Sequence, residues 1–421
     1  MACAYAGSGA TIRQQPATTT GLPPPDYVRS GPDLRSAAEP AMGPPQRPAD
    51  DRAVGALELF FDLVFVYSMS QVTHLIEEHP SWSGFGHGVL ALLAIWWAWV
   101  CYTWLTNTSA ESGDLARTLI FLAMSAMLVA SSSLVEAFGD DAMIFALALL
   151  TVRLLHVVLL IYSARRDTRR RRTFLRLLSI LLIGPGLVVL AATQDSPLRE
   201  ALWLGAMLVD FGGPALFGMG GFNVRPGHFV ERHGLMVIIA LGESIYQMGR
   251  AATGDLRRAD VVVAVVLGVL VSAAMWWAYF GLKHGAAARL RRAPAPERAR
   301  LARDAYSYLH LPLVAGIIWY SLGVGETIAH PEEPLPPLFG LALCGGAALF
   351  YAGEVLYRWR DHHEIATDRL VTSIVLVTLI PMAPVVPALT ILVAVTAVSV
   401  AFVAWEVWRQ PEIGGARPQP D

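Results

Sequence analysis

The sequence predicts an all-α protein: a polytopic transmembrane helical bundle of about twelve spans, forming two parallel six-helix repeats. The composition is 54% hydrophobic and only 16% charged, whereas soluble proteins usually carry about 25% charged residues. Apolar stretches of spanning length recur from Leu57 to Trp408, as expected of helices that cross a bilayer. Similar motifs open the two halves of the chain, which favours a duplication.

Twelve apolar segments are long enough to be predicted as membrane helices. They are 57–76, 85–105, 116–135, 142–163, 174–193, 200–219, 229–249, 260–280, 306–327, 336–357, 370–386 and 388–408. The last two are short and share Pro381, Pro384 and Pro387. We expect them to form either a tight helical hairpin or a less regular structure.

Polar tails flank the apolar region. Residues 1–55 are rich in Pro, Gly, Ala and Thr and lack the apolar core of a signal peptide, which predicts a disordered cytoplasmic tail. Residues 409–421 form a second polar cytoplasmic tail. The three cysteines, Cys3, Cys101 and Cys344, are scattered, and we predict no disulfide.

The loop charges predict the orientation. Arginines cluster between spans four and five, between eight and nine, and between ten and eleven, and the opposite loops are acidic or neutral. By the positive-inside rule, both termini are then cytoplasmic. Arg250, Arg257 and Arg258 are the exception, because this scheme places them outside.

The two halves resemble each other in several places. Span one and span seven each open with an acidic motif, and the Trp96–Trp99 run in span two is matched by Trp276-Trp277-Ala278-Tyr279 in span eight. An even number of spans per half gives both repeats the same orientation. We therefore predict repeats at 56–219 and 228–408.

The candidate proton- or substrate-site residues are ionisable groups in or beside the spans. They are Glu58, Asp62, His74, Arg153, His156, Asp210, His228, Glu231, Arg232, His233 and Glu243. Ionisable side chains inside a membrane are costly and usually functional. The structural alternative for Glu58 is a head-group-level acid that matches the helix dipole.

Position and spacing predict roles for several of these groups. Glu58 and Asp62 are four residues apart and share one helix face, so their mutual repulsion favours a proton on one of them. Arg153 lies in the middle of span four, and we expect it to pair with Asp62 or Glu243. A purely structural ion pair is an equal alternative.

The glycine- and proline-containing run in span six and the Trp clusters can each be interpreted in two ways. The Asp210-Phe211-Gly212-Gly213-Pro214 run either interrupts span six, so that freed carbonyls line a cavity, or is a plain proline kink. The Trp clusters are most simply packing residues or interfacial anchors.

The motifs at Leu57–Val66, Trp96–Trp99 and Glu231–Ile245 resemble those of the bacterial low temperature requirement A family (LtrA). The resemblance covers about residues 52–410 and leaves only the tails. It implies a multi-pass protein of the bacterial inner membrane and leaves the biochemistry open, because the family is named for a growth phenotype.

A second likeness concerns the Phe60–Phe65 stretch and the two-times-six architecture. They are similar to the two-repeat potassium channels of bacteria and lysosomes, whose first helix carries an Arg followed by a Phe-Ser-Asp motif. Here Phe61 replaces that Ser, and Ala56 stands at the position of the Arg. These departures weigh against a channel.

The sequence contains no Walker A, GxSxG, HExxH or CxxC motif, so an enzyme is the less favoured class. We predict first a secondary transporter, with proton coupling through Asp62, Glu243 and Arg153 in a central cavity. The alternatives are a two-repeat cation channel and an intramembrane acid/base enzyme that acts on a lipid-like substrate. The expected partners are the lipid bilayer and a small solute or ion, with no cofactor, no metal and no nucleic acid, and a homo-oligomer stays open.

Overall fold

The computed structural model describes residues 54–108, 113–218, 222–281 and 286–409, and in these residues the protein is all-helical, as predicted. The predicted tails lie outside the described residues, apart from Val54, Gly55 and Arg409. The first six helices are α1 (Ala56–Glu78), α2 (Trp82–Thr108), α3 (Asp114–Ser132), α4 (Ala142–Ser163), α5 (Thr168–Ala191) and α6 (Leu198–Phe217).

The second half begins with α7 (Pro226–Ala251) and α8 (Ala259–Phe280), followed by two short helices, α9 (Ala286–Arg292) and α10 (Ala295–Leu301). A π-helical turn, Ala302–Tyr308, joins α10 to α11 (His310–Ala329). A second one, Leu341–Gly345, joins α12 (Pro337–Gly340) to α13 (Gly346–His362). The last helices are α14 (Thr367–Leu379) and α15 (Ala388–Arg409).

A helix occupies each of the twelve predicted segments. Within the described residues, eight helical segments are long and apolar enough to cross a membrane. They are Ala56–Glu78, Trp82–Asn107, Asp114–Ser132, Ala142–Ser163, Ala259–Phe280, Ala295–Ala329, Pro337–Asp361 and Ala388–Arg409. The other four predicted segments form α5, α6, α7 and α14, of which α14 has only 13 residues because Pro381 follows it.

The two halves have the same pattern of helix neighbours. In the first half, α1 contacts α2 and α3, α2 contacts α4 and α6, and the pairs α3–α4, α4–α5 and α5–α6 are in contact. In the second half, α7 contacts α8 and α11, α8 contacts α13 and α15, and the pairs α11–α13, α13–α14 and α14–α15 are in contact. Each of these contacts in the first half has a counterpart in the second half, which has additional contacts of α11 with α8 and α15.

Glycines allow the close crossing of α11 and α13. A Cβ built on Gly316 would lie 2.6 Å from the Phe350 backbone nitrogen, and one on Gly346 would lie 2.4 Å from the Tyr320 backbone nitrogen. Small residues at such crossings are typical of membrane helices, where close backbone packing replaces the hydrophobic effect.

Candidate functional site

The helices α1 and α7 lie side by side and run in the same direction. Their parallel course is shown by a series of polar contacts in which the residue numbers rise together on both helices. Contacts join Glu58 to His228, Asp62 to Arg232, Ser70 to Glu243 and Glu77 to Arg250. We call these eight residues the α1–α7 polar column. Glu77 follows Glu58 by 19 positions, so the column spans about 28 Å at 1.5 Å per residue, close to the hydrocarbon thickness of a bilayer.

The first pair of the column lies at the start of α1. Glu58 Oε2 accepts hydrogen bonds from the Gly55 backbone N–H at 2.8 Å and from His228 Nε2 at 2.9 Å. A carboxylate at this position caps the helix and matches its dipole. Glu58 therefore has both a capping contact and a partner on α7, and its level in the membrane stays a prediction.

Asn107 of α2 sets the tautomer of His228. The Arg225 backbone N–H donates to Asn107 Oδ1 at 2.9 Å, so the amide nitrogen of Asn107 faces His228 Nδ1 at 3.1 Å. That nitrogen can only donate, so His228 Nδ1 accepts and the proton lies on Nε2, which donates to Glu58. The hydrogen-bond network thus assigns a neutral His228.

Asp62 is the deepest acid at this end of the column. It is 1% exposed, and its Oδ1 accepts hydrogen bonds from Arg232 Nη2 at 2.6 Å and from Trp99 Nε1 at 2.9 Å. Arg232, which is fully buried, also lies 3.5 Å from Glu58 Oε1. One guanidinium therefore serves two carboxylates, and with a neutral His228 the group carries a net charge of −1 when both acids are ionised.

Both members of the Asp62–Arg232 pair have unused hydrogen-bonding capacity. Within the described residues, Asp62 Oδ2 and Arg232 Nε are buried without a hydrogen-bond partner. Buried polar atoms are normally paired, so such exceptions mark strained or functional positions. The pair can bind a proton or a small polar ligand without first losing a contact.

Glu243 has a different environment. It is fully buried, its Oε2 contacts the Ser70 hydroxyl, and its Oε1 has no hydrogen-bond partner among the described residues. The ion pairs found in the described part of the chain give it no cation. A buried carboxyl group without a counter-charge is far less costly when it is protonated.

The far end of the column is more exposed. Arg250 Nη2 lies 2.6 Å from Glu77 Oε2, and Gln247 Nε2 donates to Glu77 Oε1 at 3.3 Å. His74, 44% exposed, lies 3.7 Å from both Glu77 and Glu78. It belongs to the surface at this end and not to the buried part of the column.

Apolar residues separate the two buried acids. Asp62 and Ser70 are eight positions apart, or about 12 Å along the helix. Phe65 and Met69 on α1, and Met236 and Ala240 on α7, are buried between them. The polar column therefore has two polar sections, separated by a section of apolar side chains.

The expected pairing of Arg153 with Asp62 or Glu243 is wrong. Arg153 of α4 pairs instead with Asp210 of α6 and donates to Cys101 of α2. Asp210 reaches Arg153 beside Gly184 of α5, where a Cβ would lie 2.6 Å from Asp210 Oδ1. The predicted central cavity shared by Asp62, Glu243 and Arg153 is therefore not formed, because Arg153 faces the interior of the first half.

Three other predicted site residues lie apart from the column. His156 is 3% exposed and packs beside Tyr102, with ring centroids 5.4 Å apart. Glu231 is exposed, and its Oε2 accepts from the Val54 backbone N–H at 3.3 Å. His233 lies in a buried aromatic group, 5.3 Å from Tyr306 and 5.2 Å from His310 between ring centroids.

The tryptophans of α2 have a larger role than the sequence predicted. Trp96 and Trp99 are almost fully buried, so they are not interfacial anchors. Besides the bond from Trp99 to Asp62, Trp96 Nε1 donates to the Ser307 carbonyl and Trp104 Nε1 to the Ser307 hydroxyl, both at 2.8 Å. Buried indoles require such acceptors, and here they join α2 to the π-helical turn of the second half.

The glycines and proline of α6 do not interrupt the helix, which continues through Pro214 to Phe217. Two of its carbonyls accept hydrogen bonds from the second half: Tyr308 donates to the Phe211 carbonyl at 2.6 Å and Arg303 to the Pro214 carbonyl at 2.9 Å. The predicted interruption of the helix in the Asp210–Pro214 run is therefore wrong.

The sequence reasoning missed Ser70, Trp99, Asn107 and Arg250 as partners in or beside the column. Ser70 could have been found from the sequence. It lies eight residues after Asp62, which is twice the spacing between Glu58 and Asp62 and keeps it near the same face of α1. The partners on α2 and α7 could not, because no local spacing predicts which helices become neighbours.

The model of the bacterial low temperature requirement A protein (LtrA) family matches residues 53–404, which include every residue of the column. The chain belongs to this family. A curated relative, described as an uncharacterized protein of Rhizobium meliloti (strain 1021), is 31% identical over 309 residues, or 71% of this chain and 75% of the relative. No solved structure matches this LtrA-family chain.

Proposed function

We propose that this LtrA-family protein is a proton-coupled secondary transporter, with Asp62 and Glu243 as the coupling groups. The observation that carries the proposal is the α1–α7 polar column, which holds two fully or almost fully buried carboxyl groups in different electrostatic environments. Buried acids at membrane depth are rare outside ion and proton pathways. A purely structural ion pair between Asp62 and Arg232 would not require a second buried acid, Glu243, that has no ion-pair partner in the described residues.

Glu243 is the proton carrier in this mechanism. Its proton is shared with Ser70, whose hydroxyl also lies 3.4 Å from the Val66 carbonyl. When Glu243 donates to Ser70, the Ser70 hydroxyl donates onward to that carbonyl, so the protonated form satisfies each group. Loss of the proton leaves a buried anion that only movement, water or a cation can stabilise.

Asp62 is the site at which a proton or a cationic solute competes with Arg232. Binding at Asp62 Oδ2 would weaken the 2.6 Å contact to Arg232 and shift the guanidinium toward Glu58. Because Arg232 is on α7 and both carboxylates are on α1, this exchange changes the contact between the two helices.

The apolar section of the column between Asp62 and Ser70 favours a transporter over a channel. A conducting channel needs a continuous polar path, whereas a transporter exposes its two polar sections in turn. The departures from the channel motif at Ala56 and Phe61 point the same way.

The proposal includes twelve spans in two parallel six-helix repeats, 56–219 and 228–408, with both termini in the cytoplasm of a bacterial cell. The shared pattern of helix neighbours and the parallel course of α1 and α7 support the repeats. Arg250, Arg257 and Arg258 remain the exception to this orientation, although Arg250 pairs with Glu77 and Arg258 pairs with Asp260.

Proton flux in proteoliposomes tests the proposal, with a pH dye inside the vesicles and a panel of added cations and small metabolites. We expect an added solute to trigger a pH change that is at least tenfold smaller in Glu243→Gln and in Asp62→Asn. Glu231→Gln is the matched control, because Glu231 is an exposed acid on the same helix as Glu243, and it should retain the flux. Full flux in both column variants, or no pH change with any solute, would contradict the proposal.

A further inference from the structure

An elongated cavity of about 80 Å³ lies in the first half, away from the polar column. Its walls come from α2, α4, α5, α6 and the π-helical turn, and almost all of the lining is carbon. The cavity is partly open to its surroundings, so an apolar group has a way in. An apolar occupant would bury the carbon-rich lining and give it the close packing that is typical of protein interiors.

The shape of the cavity fits a chain better than a compact ring. It extends along α2 from Trp97 to Trp104 and along α5 from Phe174 to Leu181, seven residues or about 10 Å on each helix. The long axis thus follows the helices, in the direction in which aliphatic chains lie in a bilayer. Trp97, Trp104 and Phe174 supply broad apolar faces along this length.

A cationic side chain lies at the edge of the cavity. Arg303, 15% exposed, borders the cavity, and it shares Asp304 with Arg360 at 2.7 and 3.0 Å. Two guanidinium groups therefore share one carboxylate and leave a net positive charge near the surface. Such a charge favours a phosphate group, which guanidinium groups bind well.

We infer that the cavity binds one aliphatic chain of a phosphate-bearing amphiphile, with the chain along Trp97 and Trp104 and the phosphate beside Arg303. A phospholipid and an isoprenyl phosphate share this chemistry. The inference does not rest on the proposed transport, because the column residues do not line the cavity.

Photolabelling in vesicles tests this site. The protein is reconstituted in vesicles of a galactolipid, which carries no phosphate, with a trace of either phosphatidylglycerol or an isoprenyl monophosphate that carries a diazirine in its chain. Adducts are mapped by peptide mass spectrometry at Leu160 and Leu181, which line the cavity, and at Leu208, which is 67% exposed. The unlabelled form of the same probe is the competitor.

We expect saturable labelling at Leu160 or Leu181 with at least one probe, and labelling at Leu208 that does not saturate. The probe that saturates identifies the source of the chain. Val100→Phe, which fills the cavity, should lower the saturable labelling at least fivefold, whereas Val100→Ala, at the same position, should retain it. Arg303→Gln should raise the half-saturating concentration several-fold.

Leu160→Phe, mapped at Leu181, is a second filling variant in case Val100→Phe folds poorly. An unchanged melting temperature shows that a variant is folded. The proposal is overturned if no cavity residue is labelled saturably with either probe. It is also overturned if a folded filling variant is labelled like the original protein.

Discussion

At the scale of single residues, the arginines show where sequence reasoning succeeds and where it stops. Burial of Arg153 beside an acid follows from its mid-span position, and the structure confirms that it is paired. The identity of the partner does not follow, because Asp210 reaches it across the gap left by Gly184. The pairing thus depends on a glycine in α5, which is a third helix, and the sequence of span four does not predict it.

Arg232 gives the residue-scale prediction. Removing one partner of a buried ion pair costs about 3–5 kcal/mol, whereas replacing both partners with apolar residues is often neutral. Arg232→Leu should therefore unfold at a clearly lower temperature in detergent, and Asp62→Leu combined with Arg232→Leu should recover most of the loss. Tryptophan fluorescence during heating measures both. A double variant less stable than Arg232→Leu alone would contradict the account.

At the scale of helices, the prediction concerns the packing of α11 against the π-helical turn Leu341–Gly345, which precedes α13. A Cβ on Gly323 would lie 2.3 Å from the Leu343 backbone nitrogen, whereas one on Gly325 would meet nothing within 4 Å. Gly323→Ala should therefore destabilise the protein by about 1–3 kcal/mol through overpacking. Gly325→Ala, two residues along the same helix, is the control and should leave the melting temperature within the error of measurement. Equal melting temperatures for the two variants would refute this packing.

The positions of the helices could be predicted well from the sequence, because they depend on the length of each continuous apolar segment. The twelve segments each form a helix, but the segment predicted at 306–327 extends back to Ala295 through a π-helical turn. That irregular turn is stabilised by distant groups, since Trp96 and Trp104 of α2 both donate to Ser307. Such tertiary contacts have no local signature.

At the scale of the whole molecule, the candidate site was only partly predictable. Glu58, Asp62, His228, Arg232 and Glu243 were all selected from the sequence and all lie on the α1–α7 polar column. Their order along the column follows from two parallel helices in contact, which the repeated acidic motifs indicate only indirectly. His74, Arg153, His156 and Asp210 lie elsewhere because ionisable groups also serve surfaces and structural pairs.

The central claim is that Glu243, buried in the column, holds a proton that it can release. Infrared difference spectroscopy of the protein in lipid, between neutral and alkaline pH, measures this directly. We predict a protonated-carboxyl band that disappears on deprotonation, is absent from Glu243→Gln, shifts in Ser70→Ala and is unchanged in Glu231→Gln. A spectrum of Glu243→Gln identical to that of the original protein would show that Glu243 carries no such proton and would contradict the account.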